Sequence, residues 1–202
     1  FYPKDTQGRK IDTYLPAKGG EMKVPPGHYL AVIYNYDTEV VQVKGEDSYE
    51  TIMACTGNCT GLGDSETENM VWGPDNFYVA TLDDVEIGKG EELPTLEVRP
   101  KSVVTTYIFS IKTEGLKNVS SIIGSVSGMA ECYPLGKGAG LCRFAPIYCE
   151  TCKGNGVIKG SFTCFGHPEL TQARADITQF LYLIIVRVDG SRQDAKVEIT
   201  EA

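Results

Sequence analysis

The residues best equipped for chemistry are cysteines, seven in a chain with only two His and one Trp. Cys149-Glu150-Thr151-Cys152-Lys153-Gly154-Asn155-Gly156 has the CxxCxGxG form of a zinc-binding repeat, in which a thiolate pair supplies half of a tetrahedral site. Only one such pair exists. A second half could come from Cys164-Phe165-Gly166-His167, so that Cys149, Cys152, Cys164 and His167 make a C-x2-C-x11-C-x2-H set with ribbon-type spacing. Against zinc, Val157 to Phe165 (VIKGSFTCF) already reads as a strand whose side chains alternate between faces. The competing chemistry is oxidation: Cys55 with Cys59 as the candidate disulfide, and further pairs among Cys132, Cys142, Cys149, Cys152 and Cys164, with one thiol left over because the count is odd. A third reading makes several of them buried thiols that act as small hydrophobes. The expectation adopted is no metal and no cofactor.

Other catalytic equipment is sparse. His28 follows Pro26-Gly27 at a strand start, and His167 precedes Pro168 in a loop; neither adjoins a G-x-S-x-G elbow. Asp83-Asp84-Val85-Glu86 and Glu66-Thr67-Glu68 lack the D-x-D-x-D-G order of a calcium loop and read as solvated acidic surface. Gly136-Lys137-Gly138-Ala139-Gly140 lacks the Lys-Ser/Thr and the helix of a phosphate cradle. No enzymatic activity is expected, and no catalytic residue is assigned.

The elements that must position these residues are strands. Period-two alternation or continuous apolar runs occur at Tyr29 to Tyr36, Phe77 to Leu82, Val103 to Ile111, Ile122 to Val126, Val157 to Phe165, Phe180 to Val188 and Ala195 to Ile199, the last two joined by an Asp189-Gly190 turn signal. Val40 to Val43 is expected to extend or bulge the first of them. One helical turn is expected around Asp47 to Ala54, with Ser48 as its cap. Strands this frequent exceed one sandwich, so the fold expected is all-β with two tandem sandwiches, 1–92 and 93–202, cut in the Gly-, Pro- and charge-rich stretch Gly88 to Pro100.

The net charge of −8 divides unequally: residues 1–92 carry 17 acidic and 7 basic side chains, residues 93–202 carry 10 and 12. With no basic cluster, nucleic acid is excluded as a general partner. The longest apolar run, Phe180 to Val186, is far too short to span a bilayer. An acidic first half could favour head-to-tail contact between copies, while a solvated acidic face accounts for it equally simply.

Three stretches carry a family resemblance. Val24 to Glu39 (VPPGHYLAVIYNYDTE), Lys117 to Leu135 (KNVSSIIGSVSGMAECYPL) and Gly160 to Gly166 (GSFTCFG), preceded by Phe1 to Asp5, resemble in order the fimbrillin-like surface proteins of Bacteroidetes; the SGMA element, Ser127 to Ala130, is the most specific. The resemblance implies two transthyretin-like, Greek-key sandwiches in a lipoprotein exported to the cell surface and outer membrane. It implies a fimbrial subunit, tip or anchor that joins other subunits, or copies of itself, by strand addition. The leading strand and lipid-bearing Cys of family precursors do not precede Phe1, which gives the expectation that the first sandwich lacks a strand, and that membrane contact would come only through an anchor outside this sequence. The alternative, a surface module binding a host or bacterial glycan or peptide, rests on eleven Tyr as stacking partners.

Overall fold

A computed structural model of the chain describes residues 1–5, 8–59, 70–89, 95–136, 143–166 and 178–199. Thirteen strands follow in order: β1 Tyr2–Pro3, β2 Gly27–Tyr34, β3 Gln42–Lys44, β4 Met53–Cys55, β5 Tyr78–Ile87, β6 Lys101–Ser102, β7 Thr105–Lys112, β8 Val119–Ala130, β9 Cys132–Pro134, β10 Phe144–Lys153, β11 Val157–Cys164, β12 Gln179–Arg187 and β13 Arg192–Ile199. A short 3-10 turn, Leu116–Asn118, leads into β8. The fold is all-β, as expected, and the paired strands are antiparallel.

Two sheets enclose the first core. One has the order β1-β2-β5-β6, the other β3-β4-β9. Between them lie Val41, Tyr49, Ile52, Ala54, Phe77, Val79, Ala130, Leu135 and Phe165. Val40 to Val43 does not prolong β2. The backbone turns away after Tyr34 because the Asp75 carboxylate accepts the N–H groups of Glu39, Val40 and Val41 at 2.5, 3.3 and 3.1 Å, and β3 then pairs in the opposite sheet. The helical turn is a single one: Ser48 Oγ accepts the Glu50 N–H and its carbonyl accepts that of Ile52, after which β4 begins.

The second core belongs to one six-stranded sheet, β13-β12-β8-β10-β11-β7. Phe109 and Ile111 from one end and Ala195 and Ile199 from the other pack on the same cluster, around Val126, Ile147, Cys149, Ile158, Leu181 and Leu183. Both ends can reach one cluster only if the sheet folds over on itself, so a single sheet supplies both layers of the sandwich. β10 carries the chain from one layer to the other: Phe144 to Cys149 pair with β8 and Glu150 to Lys153 with β11, while a separate register shift at Pro146 lies within the β8 pairing. Gly160 fixes the far end: a Cβ there would stand 2.3 Å from the Phe109 ring of β7, its register partner, so only glycine lets that ring lie across β11.

The strands interleave across residues 92 and 93. From the second half, β6 completes one sheet of the first core and β9 the other. A disulfide between Cys55 and Cys132 staples the β4–β9 pairing. The expected Cys55–Cys59 bridge is therefore replaced. Cys55 is directly opposite Cys132, with Cα atoms 4.1 Å apart, and the adjacent Thr56 N–H to Glu131 carbonyl bond makes theirs the close, non-hydrogen-bonded pair of the ladder. Cys59 lies past the end of β4 as a buried free thiol.

The bridge closes a separation of 77 residues, for which the chain-entropy account assigns about 4–5 kcal/mol. Replacing Cys55 and Cys132 by Ala should cost about 2–5 kcal/mol in urea unfolding, and wild type under reductant should match the variant. Ile147→Ala, at a fully buried position of the other core, should cost a similar 2–5 kcal/mol by leaving a cavity, with no dependence on reductant.

Candidate functional site

The Cys motif that suggested a zinc site falls within β10. Side chains of a strand alternate, so residues three apart face opposite ways. Cys149 points into the second core, fully buried between β8 and β11, and its thiol donates to the Ile147 carbonyl at 3.7 Å; Cys152 is exposed on the other face. A CxxC pair holds metal only where the backbone turns between its members, and β10 runs extended through both, pairing Cys149 with Gly124 and Cys152 with Lys159. Cys164 ends β11, buried, and its sulfur accepts the Gly166 N–H at 3.3 Å. His167 and Cys142 lie outside the described residues, as do Glu66 to Glu68 and Lys137 to Gly140. Among the described residues no group of three or more His, Cys, Asp or Glu is arranged to hold a metal.

The buried free cysteines, Cys59, Cys149 and Cys164, fill space. Burial pushes the Cys149 thiol up to about 12 from an ordinary 9.0, and Cys59 and Cys164 also rise through burial. A thiol that stays protonated is a poor nucleophile and a poor ligand. The SGMA segment, residues 127–130, is likewise structural: it ends β8, where Met129 enters the second core and Ala130 the first, so one strand serves both.

Surface aromatics are dispersed. Tyr14 and Tyr36, 78% and 63% exposed, meet edge to face at 4.8 Å, whereas Tyr78, Tyr107 and Tyr182 belong to β5, β7 and β12. A shallow cavity of about 500 Å³ beside the Asn35-Tyr36-Asp37 turn is lined by Asn35, Asp37, Glu39, Asp75, Asn76 and Tyr78. Three of its polar side chains are engaged internally: the Asn35 amide donates to Asp37 and to the Asn76 carbonyl and accepts from the Tyr78 N–H, and Asp75 holds the 39–41 backbone.

The surface features left open are sheet edges. Among the described residues, the terminal strands of the two smaller sheets have two or three residues each, so β5 keeps an outer side that β6 pairs only at Tyr78 and Val79 and that carries Asp83, Asp84 and Glu86; β7 and β13, eight residues each, are the terminal strands of the six-stranded sheet. They differ in chemistry. β13 alternates charge, Arg192, Asp194, Lys196 and Glu198, whereas β7 is uncharged from Thr105 to Ile111 (TTYIFSI). The Thr113 N–H bonds the Gly156 carbonyl at 2.9 Å, which continues the β7–β11 register; by alternation, the N–H and C=O groups of Thr106, Ile108, Ser110 and Lys112 face away from the sheet. Ile108, at the middle of that edge, is 82% exposed. The sequence places a strand here but carries no mark of its being terminal, since the identity of a neighbour is set by topology.

Protonation couples to folding through the same buried groups. Burial and a hydrogen bond donated to Asp83 push Tyr49 up to about 12, and burial with a bond donated to Glu46 raises Tyr34 as well. Cys149, Tyr49 and Tyr34 each hold their proton more tightly in the folded chain, so their contribution is complete below their ordinary values and is lost as pH rises through the raised ones. Stability measured by urea unfolding should fall between about pH 9 and pH 12. In native buffer a thiol reagent should label Cys152, while Cys149 and Cys164 should react only after unfolding.

Comparison with known proteins gives these features a family. The profile described as "Domain of unknown function (DUF5119)" matches residues 1–150. A curated relative from Bacteroides ovatus, provisionally named fimbrium anchoring subunit Fim4B, is 44% identical over 213 aligned residues, which cover 100% of this chain and 64% of its own. The chain thus spans less than two thirds of the length of that relative. A crystal structure provisionally described as an adhesin from Bacteroides ovatus superposes with a TM-score of 0.87 at 43% identity, over 98% of this chain and 74% of that one. The fimbrial anchor protein Mfa2 from Porphyromonas gingivalis, at 14% identity and a TM-score of 0.45 over 87% and 61% of the two chains, is too distant to argue from. With a profile match over residues 1–150 and relatives alike along its whole length, the chain belongs to the DUF5119 family, and its resemblance to fimbrial-subunit-like surface proteins of Bacteroidetes extends well beyond the motifs at 24–39, 117–135 and 160–166.

Proposed function

We propose that this chain is a non-enzymatic fimbrial component of the bacterial surface, of the anchoring type, which takes up an extended segment of another fimbrial subunit by strand addition along β7. The observation that carries the fimbrial part is 44% identity along all of this chain to a protein named as a fimbrium anchoring subunit. The observation that favours β7 as the point of attachment is its edge. The outer side of β7, against which no strand lies among the described residues, offers a row of donors and acceptors from Thr106 to Lys112, and β7 has none of the charges or prolines with which edges are usually guarded until Lys112. An incoming strand would place alternate side chains against Ile108 on one face and toward Tyr107 and Phe109 on the other. Tyr107 already stacks on Phe162 at 5.1 Å, so the ledge that would receive them is rigid. The surface location follows from the fimbrial role, and a lipid anchor in the outer membrane is the simplest means of holding such a component there.

Deleting the gene in the cell of origin and counting cell-attached fimbriae by electron microscopy tests the role. Fimbriae shed into the medium are expected, restored by wild type. Retention of normal attachment would refute it. Ile108→Lys, at an exposed position, should change stability by less than about 0.5 kcal/mol yet fail to restore attachment; full restoration would exclude the β7 edge.

A further inference from the structure

The other terminal strand of the six-stranded sheet has a property that β7 lacks. The Arg187 N–H bonds the Ser191 carbonyl at 2.8 Å, in register with the β12–β13 ladder, so alternation turns the odd residues of β13 toward β12 and leaves the N–H and C=O groups of Arg192, Asp194, Lys196 and Glu198 facing outward. The same four residues project their side chains onto one face, in the order plus, minus, plus, minus. All four are exposed, and on the opposite face Val197 is 42% exposed beside the half-buried Ala195.

We propose that β13 pairs antiparallel with β13 of a second copy of this chain across a twofold axis at Ala195. That register sets Arg192 opposite Glu198 of the other copy and Asp194 opposite Lys196, and each pair occurs twice by symmetry. All outward residues then meet as hydrogen-bonded pairs of opposite charge, while Val197 is covered across the other face by Gln193 of the second copy. The charge order selects this register over its neighbours. A twofold at Asp194 would oppose Asp194 to itself and Arg192 to Lys196; one at Lys196 would oppose Lys196 to itself and Asp194 to Glu198. A parallel pairing in register sets like against like throughout. The charges that would guard an edge against most strands thus admit one partner, the same strand reversed. The Arg192–Asp194 contact at 2.7 Å and the Lys196 ammonium over the Phe180 ring at 3.7 Å show that these side chains are already drawn to that face. This contact is independent of the β7 reading: it uses the opposite end of the sheet and closes on itself instead of building a chain.

Analytical ultracentrifugation of the purified 202-residue chain over a range of concentrations and salt tests the proposal. A monomer–dimer equilibrium that weakens with salt is expected. Lys196→Glu turns both central pairs repulsive and should weaken dimerisation at least about tenfold, whereas the exchange Asp194→Lys with Lys196→Glu restores opposite charges and should recover it. Ala195 would meet itself as a non-hydrogen-bonded pair, the geometry in which Cys55 and Cys132 are bonded at a Cα separation of 4.1 Å. Ala195→Cys should therefore form a disulfide-linked dimer under mild oxidant, and Gln193→Cys should not. A chain that stays monomeric at its highest soluble concentration would overturn the proposal, as would a dimer indifferent to Lys196→Glu or an exchange variant, folded by near-ultraviolet circular dichroism, that fails to dimerise.

Discussion

The pairing of β4 with β9 is the contact on which the rest of the architecture depends. β9 follows directly on β8, one of the two middle strands of the six-stranded sheet, so the polypeptide leaves one core at Met129 and enters the other at Ala130 without a linker. If β9 left β4, the three-stranded sheet would shrink to a two-stranded ribbon, which is at best marginally stable alone, and the first core would lose its cover over Ile52, Ala54 and Leu135. The Cys55–Cys132 bond lies across that pairing. Two strands held by three residue pairs are thereby held covalently. An oxidised bond of this kind accords with a protein that works outside the reducing cytoplasm.

The remaining thiols show how geometry overrides spacing. Four residues in CxxC order suggest a metal only while the backbone between them is free to turn. Once β10 extends through Cys149 and Cys152, alternation separates them by the thickness of the sheet, and the inner one becomes core packing beside Ile147 and Val126. The strand was hard to foresee because Phe144 to Lys153 contains Pro146 and a mixed polar tail, so neither an apolar run nor clean alternation announces it. Its partners β8 and β11 impose it.

The two ends of the six-stranded sheet differ in chemistry. A folded-over six-stranded sheet necessarily ends somewhere, and the chain ends it once in an uncharged strand and once in a strand of alternating charge. An uncharged edge accepts many extended partners; an edge of fixed charge order accepts few. One sheet can therefore present a permissive edge at one end and a selective edge at the other.

By itself the sequence determined the all-β class, most of the strands, the single turn at Ser48 and, through Val24 to Glu39 and the SGMA segment, the family. These are local matters: alternation, turn residues and short motifs record which face of a strand is dry and where the chain reverses. Tertiary structure alone decided that Cys55 meets Cys132 and not Cys59, that Val43 crosses to a second sheet, that strands from both halves share the first core, and that β7 and β13 end the six-stranded sheet among the described residues. Each of these depends on which strand lies next to which, a relation between residues distant in sequence that no local period encodes.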